Sequence, residues 1–324
     1  MIYKSIFNMV GNTPIINLKG EGLENINFYA KLEGVNPTGS VKDRAAQYII
    51  NKVEREEMIN KDTIIIESSS GNFGIALSAY CKSKGLNFYC VIDPLISETN
   101  EMLIRKFSSK VIKVTERDKN GAYLLTRIKK VNDLIDRDSN SYWVNQYANE
   151  YNCEAYYNTL ALEMCNDVEN IDYVFVGVSS GGTITGVSRK VKKVYPNAKV
   201  IAVDIVGSVI FGGEPQKRYI PGIGSSKVPE ILRLALIDEV MTIDERDVVR
   251  ECNNLLLEHK IFAGGSSGAV FAAVKKYFKD KSFKTKPNVV TLFADRGDRY
   301  ANTVYDEEWC NKYIFKNENI KVAK

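Results

Sequence analysis

The sequence predicts an α/β protein made of open, mostly parallel sheets covered by helices. Three observations predict it. Short apolar runs that read as strands alternate with helical stretches of about ten residues, the rhythm of a parallel sheet buried on both faces. Three Gly/Ser-rich loops, Ser68–Gly74, Ser179–Gly186 and Ala263–Gly268, each follow a strand and open a helix. The length of 324 residues is enough for about two domains with sizeable cores.

In chain order, the turn G-N-T-P at Gly11–Pro14 is followed by short apolar runs that read as strands up to Lys31. Ala45–Met58 has the spacing of an amphipathic helix. Thr63–Ile66 reads as a buried strand and Ile75–Lys84 as a helix. Asn87–Ile92 is a strand ended by Asp93-Pro94. Ser97–Phe107 reads as a helix, Lys110–Val114 as a strand and Ala122–Leu134 as a helix. The second half repeats the pattern with a helix at Tyr156–Cys165 and strands at Tyr173–Val176, Lys199–Val203 and Val289–Phe293. Gly207–Ser226, rich in glycine and proline, reads as a long functional loop, and a short polar tail follows Tyr313.

Composition narrows the function. A hydrophobic share of 44% with 26% charged residues is that of an ordinary soluble globular protein. The net charge of +4 is small, and no Lys/Arg block marks a nucleic-acid footprint. The apolar runs are too short to span a membrane and the N-terminus lacks a signal-peptide shape, which makes the cytoplasm the default setting. Six cysteines without C-x-x-C spacing predict reduced thiols and no zinc site. With His259 as the single histidine, an imidazole-rich metal site within one chain is excluded. Chemistry must come from lysine, carboxylates, hydroxyls or a cofactor.

Glu33–Arg44 (E-G-V-N-P-T-G-S-V-K-D-R) places Lys42 at a loop-to-helix junction. A cation is disfavoured at a helix N-terminus. That field, together with burial, would lower the lysine pKa and make the amine a nucleophile of the Schiff-base kind. A solvated lysine on a first helical turn is the plain alternative. Gly34 and Gly39 have P-loop spacing, but Ser40 stands where a nucleotide phosphate requires lysine, so that reading fails. Loops of the strand-to-helix kind converge at the carboxyl ends of a parallel sheet. S-S-G-G-T at Ser179–Thr183 fits a phosphate cradle best, with glycines for close approach and hydroxyls from Ser180 and Thr183.

The motifs N-P-T-G-S-V-K-D-R, S-S-G-N-F-G, S-S-G-G-T-I-T-G, P-G-I-G and G-G-S-S-G occur here in the order found in cysteine synthases and cystathionine β-synthases. The chain resembles that family from Gly11 to Tyr300. The resemblance implies a pyridoxal 5′-phosphate enzyme with the two-domain fold of the tryptophan-synthase β-subunit, known as fold type II. Its units would be residues 1–150 and 151–324, the first 35 or so residues able to cross to the other unit. It also implies a homodimer acting on small amino-acid substrates.

Position by position, the resemblance makes Lys42 the lysine that carries the cofactor as a Schiff base. Asn72 matches the contact to the cofactor 3′-oxygen, and Ser180, Gly181, Gly182 and Thr183 match the phosphate loop. Ser69, Ser70, Gly71 and Gln146 match the donors to the substrate carboxylate, and Gly222–Gly224 the loop over the substrate. Ser266 matches the pyridine-nitrogen partner of cystathionine β-synthases, whereas cysteine synthases take it from the later motif, here at Asp295. Phe73 departs from the usual threonine.

The resemblance implies β-replacement on O-phosphoserine, O-acetylserine or cysteine through an aminoacrylate. Gly207–Pro215, P-G-I-G-S-S-K-V-P-E and D-R-G-D-R-Y are most similar to the branch that makes N-(2-amino-2-carboxyethyl)-L-glutamate from O-phosphoserine and glutamate. Arg218 and Lys227 then read either as anion holders for an amino-acid acceptor or as solvated loop charge. Cysteine synthase activity, a cysteine-consuming lyase adding water or a second cysteine (giving serine or lanthionine), and a silent regulatory homologue are the alternatives.

Overall fold

The computed structural model describes residues 2–118 and 121–316. Of the polar tail after Tyr313, residues 317–324 lie outside the described residues. The chain runs β1 (Ile15–Leu18), β2 (Asn27–Leu32), α1 (Lys42–Arg55), β3 (Ile64–Ser68), α2 (Asn72–Lys84) and β4 (Asn87–Ile92). Then come α3 (Glu98–Phe107), β5 (Lys110–Lys113), α4 (Leu124–Ile135), β6 (Ser141–Trp143), α5 (Glu150–Asn158), α6 (Leu160–Asp167) and β7 (Ile171–Gly177). The rest is α7 (Gly182–Val194), β8 (Lys199–Ile205), β9 (Glu239–Ile243), α8 (Glu245–Leu257), α9 (Gly265–Phe278), β10 (Asn288–Phe293) and α10 (Glu307–Tyr313).

The strands form two sheets, one of six strands in the order β1-β2-β10-β7-β8-β9 and one of four in the order β5-β4-β3-β6. Every pairing is parallel except β1 with β2. This is the predicted α/β class. Near-continuous apolar strands explain it, because both faces of each sheet are covered. Val174, Val176, Val200 and Ala202 face one core, with α1, α2, α5 and α7. Phe175, Ile201 and Val203 face the other, with α8 and α9. Ile66 and Val91 close a third core under α4, with Val131. Among the described residues no helix is long and apolar enough to cross a membrane.

Three helices differ clearly from the sequence reading, and the first is α1, which runs Lys42–Arg55 instead of Ala45–Met58 because the loop before it already turns into the helix at Lys42. The stretch Tyr156–Cys165 is two helices, not one. Thr159 interrupts it with φ −122° and ψ −84°, and its hydroxyl donates to the Ala155 carbonyl at 2.6 Å. Threonine hydroxyls compete with the helical ladder in this way. Helix α2 starts at Asn72, three residues before the apolar run, because the Ser69 hydroxyl accepts the Gly74 N–H at 3.0 Å and caps the turn.

A buried ionic cluster holds the start of α1. The Arg44 guanidinium donates to both Glu33 oxygens, at 2.7 and 2.8 Å. It also donates to both Glu163 oxygens, at 2.6 and 2.8 Å. Lys31 joins Glu163 and Asp167 at 3.0 Å each. Glu33 and Arg44 are fully shielded from solvent, so each depends on the other for neutrality. Arg44→Met is expected to lower folding stability by about 3–5 kcal/mol, and Arg44→Met with Glu33→Met to recover part of it. Urea denaturation checks both. Equal stability of Arg44→Met and the parent would mean that the cluster does not hold α1.

Candidate active site

The loop before Lys42 is bound to the end of β10. Val41 donates its N–H to the Ala294 carbonyl at 2.8 Å, and Ser40 forms a bridge with Asp295. Asp43 steadies the turn by accepting from the Thr38 N–H at 2.7 Å and the Thr38 hydroxyl at 2.5 Å. The Lys42 amine lies 5.9 Å from the centre of the Tyr156 ring. Loss of hydration brings its pKa down to about 8, against the opposing pull of Asp295.

Asp295 is the acceptor where several elements meet. Its Oδ2 accepts from Asn72 Nδ2 at 2.7 Å and from the Tyr300 hydroxyl at 2.8 Å. Its Oδ1 is buried with no hydrogen-bond partner. Burial raises the carboxyl pKa, which Asn72, Tyr300, Arg299 and Lys42 pull back down. Gly264 fits only as glycine, since a Cβ there would run into Asp295 Oδ1. Two residues on, Ser266 lies in the first turn of α9 and is nearly buried.

The Ser179–Thr183 loop leaves β7 and opens α7. Gly181 has φ +85°, a left-handed conformation natural to glycine. A Cβ on Gly182 would lie 2.5 Å from the Asn152 amide, which donates to the Gln146 carbonyl at 2.6 Å. Thr183 sits beside the Tyr156 hydroxyl, close to the Lys42 side of the site. The first N–H groups of α7 have no intrahelical partner, so the loop presents donors with the positive end of a helix dipole. Ser179 donates to the Gly224 carbonyl at 3.1 Å, which joins this loop to Gly222–Gly224. A Cβ on Gly222 would lie 3.1 Å from the Tyr300 hydroxyl, so that loop reaches the Asp295 side as well.

The Ser68–Gly74 loop and Gln146 form the opposite wall. Gln146 Nε2 donates to the Ser68 carbonyl at 3.3 Å, and the Gln146 N–H donates to Glu67 at 3.2 Å. The Ser70 hydroxyl donates to Asp93 at 2.8 Å and accepts from Arg127 at 3.0 Å. Nothing lies within 4 Å of a Cβ built on Gly71, so this side of the loop faces open space. Phe73 points away, into the main core.

Glu67, Asp93 and Arg127 support this wall, and sequence reasoning did not single them out. Burial pushes the Glu67 carboxyl up to about 7. A carboxylate ending the apolar run T-I-I-I-E is a signal that was available. Arg127, one of three cations on α4, gives no such signal, although its charge is met by Asp93 at 3.1 Å.

The two cations proposed for an acceptor separate. Arg218 is half-buried, donating to the Ile223 carbonyl at 3.4 Å and to the Ser226 hydroxyl at 3.0 Å. It forms no ion pair among the described residues, although Asp204 and Glu245 lie in its field. Lys227 lies at the surface, paired with Glu230 at 3.2 Å.

Residues 6–295 match the family described as pyridoxal-phosphate dependent enzyme. An N-(2-amino-2-carboxyethyl)-L-glutamate synthase of Cupriavidus metallidurans is 44% identical over 312 residues, covering 95% of this chain and 92% of that one. The O-acetylserine-dependent cystathionine β-synthase of Helicobacter pylori superposes with a TM-score of 0.86 at 32% identity, over 94% of this chain and 98% of that one. A hydrogen sulfide-producing enzyme of Fusobacterium nucleatum gives 0.86 at 30% identity, over 92% and 100%.

The residues fit the cofactor that this similarity brings. An aldehyde needs an unprotonated amine, which Lys42 supplies at moderate pH. A phosphate needs a helix N-terminus that side chains do not block, which Gly181 and Gly182 supply.

Uptake of pyridoxal phosphate by the apoprotein is expected to rise with pH and reach half its limiting rate near about 8. Because the folded pKa is lowered, the unfolded chain binds more protons between about 8 and 10.5, so apoprotein stability should gain with pH across that window. Stopped-flow absorbance measures the uptake. A half-rise near 10.5 would make Lys42 an ordinary solvated lysine.

Proposed function

Because the chain belongs to the family of pyridoxal-phosphate-dependent enzymes, we propose that it replaces the β-substituent of a serine-type amino acid with the amino group of a second, carboxylate-bearing amino acid. The observation that carries the choice of acceptor is Arg218. It is a half-buried guanidinium without a carboxylate partner among the described residues, held against the Gly222–Gly224 loop. Buried cations are ordinarily paired, and an incoming carboxylate would complete this one in a two-pronged way. Similarity to the Cupriavidus synthase supports the same reading.

In this proposal Lys42 holds pyridoxal phosphate. Ser180, Gly181, Gly182 and Thr183 bind its phosphate, Asn72 its 3′-oxygen and Ser266 its ring nitrogen. When bound, the cofactor supplies an electron-accepting ring that stabilises negative charge at the α-carbon of an attached amino acid. The residues do the rest. Ser69, Ser70, Gly71 and Gln146 orient the donor carboxylate. The neutral Lys42 Nζ takes the proton from the donor α-carbon and later returns it. Gly222–Gly224, backed by Tyr300, keep water from the β-carbon while the acceptor amine attacks. Asp295, shared between Asn72 and Tyr300, holds the surrounding donors in place. Lys227 is already paired with Glu230 and has less charge to offer an acceptor. A homodimer in the cytoplasm is the proposed setting, and sedimentation of the holoenzyme would check the dimer.

The test supplies O-phosphoserine, O-acetylserine or cysteine with glutamate, sulfide, a second cysteine or water alone, and identifies products by mass. An adduct joining the donor's three-carbon unit to the glutamate nitrogen is expected. Arg218→Gln should raise the KM for that acceptor about tenfold or more, since a charge-assisted bond is lost. It should leave release of the donor's leaving group nearly unchanged. Efficient use of sulfide with no amino acid incorporated would make the protein a cysteine synthase. Sulfide release from cysteine alone would make it a lyase.

A further inference from the structure

The motif D-R-G-D-R-Y carries two arginines with opposite fates. Arg296 points to solvent and pairs with Asp298 at 2.9 Å. Arg299 is half-buried and turns inward. One of its terminal nitrogens donates to Asn72 Oδ1 and the other to the Thr38 carbonyl. One side chain thereby joins the Gly297–Tyr300 turn, the first residue of α2 and the loop that leads to Lys42. Thr38 is itself fixed from below by Asp43.

The chemistry of the two neighbours defines which way the Asn72 amide points. A guanidinium has five donors and no acceptor, so the amide atom facing it must be the oxygen. The nitrogen then faces Asp295 at 2.7 Å. Asp295 by itself would settle the orientation less firmly, because burial raises its carboxyl pKa and a protonated carboxyl can donate. A guanidinium has only donors to offer and cannot change roles.

We propose that Arg299 is a positioning residue that turns the Asn72 amide so that its N–H₂ group, and not its oxygen, is offered to the bound cofactor. The proposal rests on the reading of Asn72 as the contact to the cofactor 3′-oxygen. That oxygen is most useful as an anion, and an amide N–H donor stabilises the anion whereas an amide oxygen repels it. Arg299 acts on the electronic state of the cofactor through Asn72, without touching it. A purely structural arginine would alter stability and leave the cofactor's electronic state alone.

The experiment compares holoenzyme absorbance for the parent, Arg299→Met, Arg299→Lys, Asn72→Asp and the Arg299→Met/Asn72→Asp double variant, with cofactor content and thermal midpoint measured beside it. The readout is the ratio of the visible band to the near-ultraviolet band of the lysine-bound cofactor at one pH. Arg299→Met and Asn72→Asp are each expected to lower that ratio about threefold or more at full cofactor content. The double variant should be no lower than Asn72→Asp alone, because both changes remove one interaction. Arg299→Lys should fall between parent and Arg299→Met, as a single ammonium cannot reproduce the fork. If Arg299→Met does not fold, a parental ratio in Arg299→Lys overturns the proposal. So does a parental ratio in Arg299→Met while Asn72→Asp is altered, or additive losses in the double variant. A parental ratio in Asn72→Asp overturns the Asn72 reading itself.

Discussion

The structure depends on one junction, where the end of β10 meets the start of α1. Val41 hydrogen-bonds to Ala294 and Ser40 bridges Asp295, so the first turn of α1 continues the edge of the strand. This places the Lys42 amine in the field of a buried carboxylate. Burial favours the neutral amine, and Asp295 favours the charged one. The balance leaves a lysine that can lose its proton near neutral pH, which a Schiff-base chemistry requires. The Arg44–Glu33–Glu163 cluster protects this placement from below, because α1 cannot shift without separating Arg44 from Glu33, a pair that no water can reach.

Around that junction the polar groups form layers. Asp295 gathers Asn72 and Tyr300, and Tyr300 lies against Gly222. Ser179 links the Ser179–Thr183 loop to Gly224, and Asn152 links Gly182 to Gln146. A change in any one loop is therefore felt by the next. The wall built on Glu67, Asp93 and Arg127 works in the same way, with a buried carboxylate under Gln146 and a cation matched by Asp93 under Ser70. Arg218 stands outside these pairings among the described residues, which is the ground for proposing it as a group for an incoming ligand.

Much of this was legible in the residues. Apolar strands flanked by glycine loops predicted the sheet class, and the Ser179–Thr183 loop stood out because its glycines allow close approach beside the hydroxyls of Ser180 and Thr183. Asn87–Ile92 was read to the residue, since Asn and Asp-Pro bracket it. The break at Thr159 was not legible, because a hydroxyl returning to its own helix leaves no mark in the apolar spacing. Contacts made across the chain were also hidden. Arg127 meets Ser70 over a separation of 57 residues, and Arg299 meets Asn72 over 227. Arg218 and Lys227 looked alike as loop cations, and only the packing under Gly224 distinguishes them.

The proposed chemistry stands or falls on which amine holds the cofactor. Borohydride reduction of the holoenzyme, followed by digestion and peptide mass analysis, reads this directly by fixing a Schiff base as a stable adduct. One modified peptide is expected, with the pyridoxyl mass on Lys42 and none on the exposed lysines. An adduct on another lysine, or no adduct in protein that retains the cofactor, would contradict it.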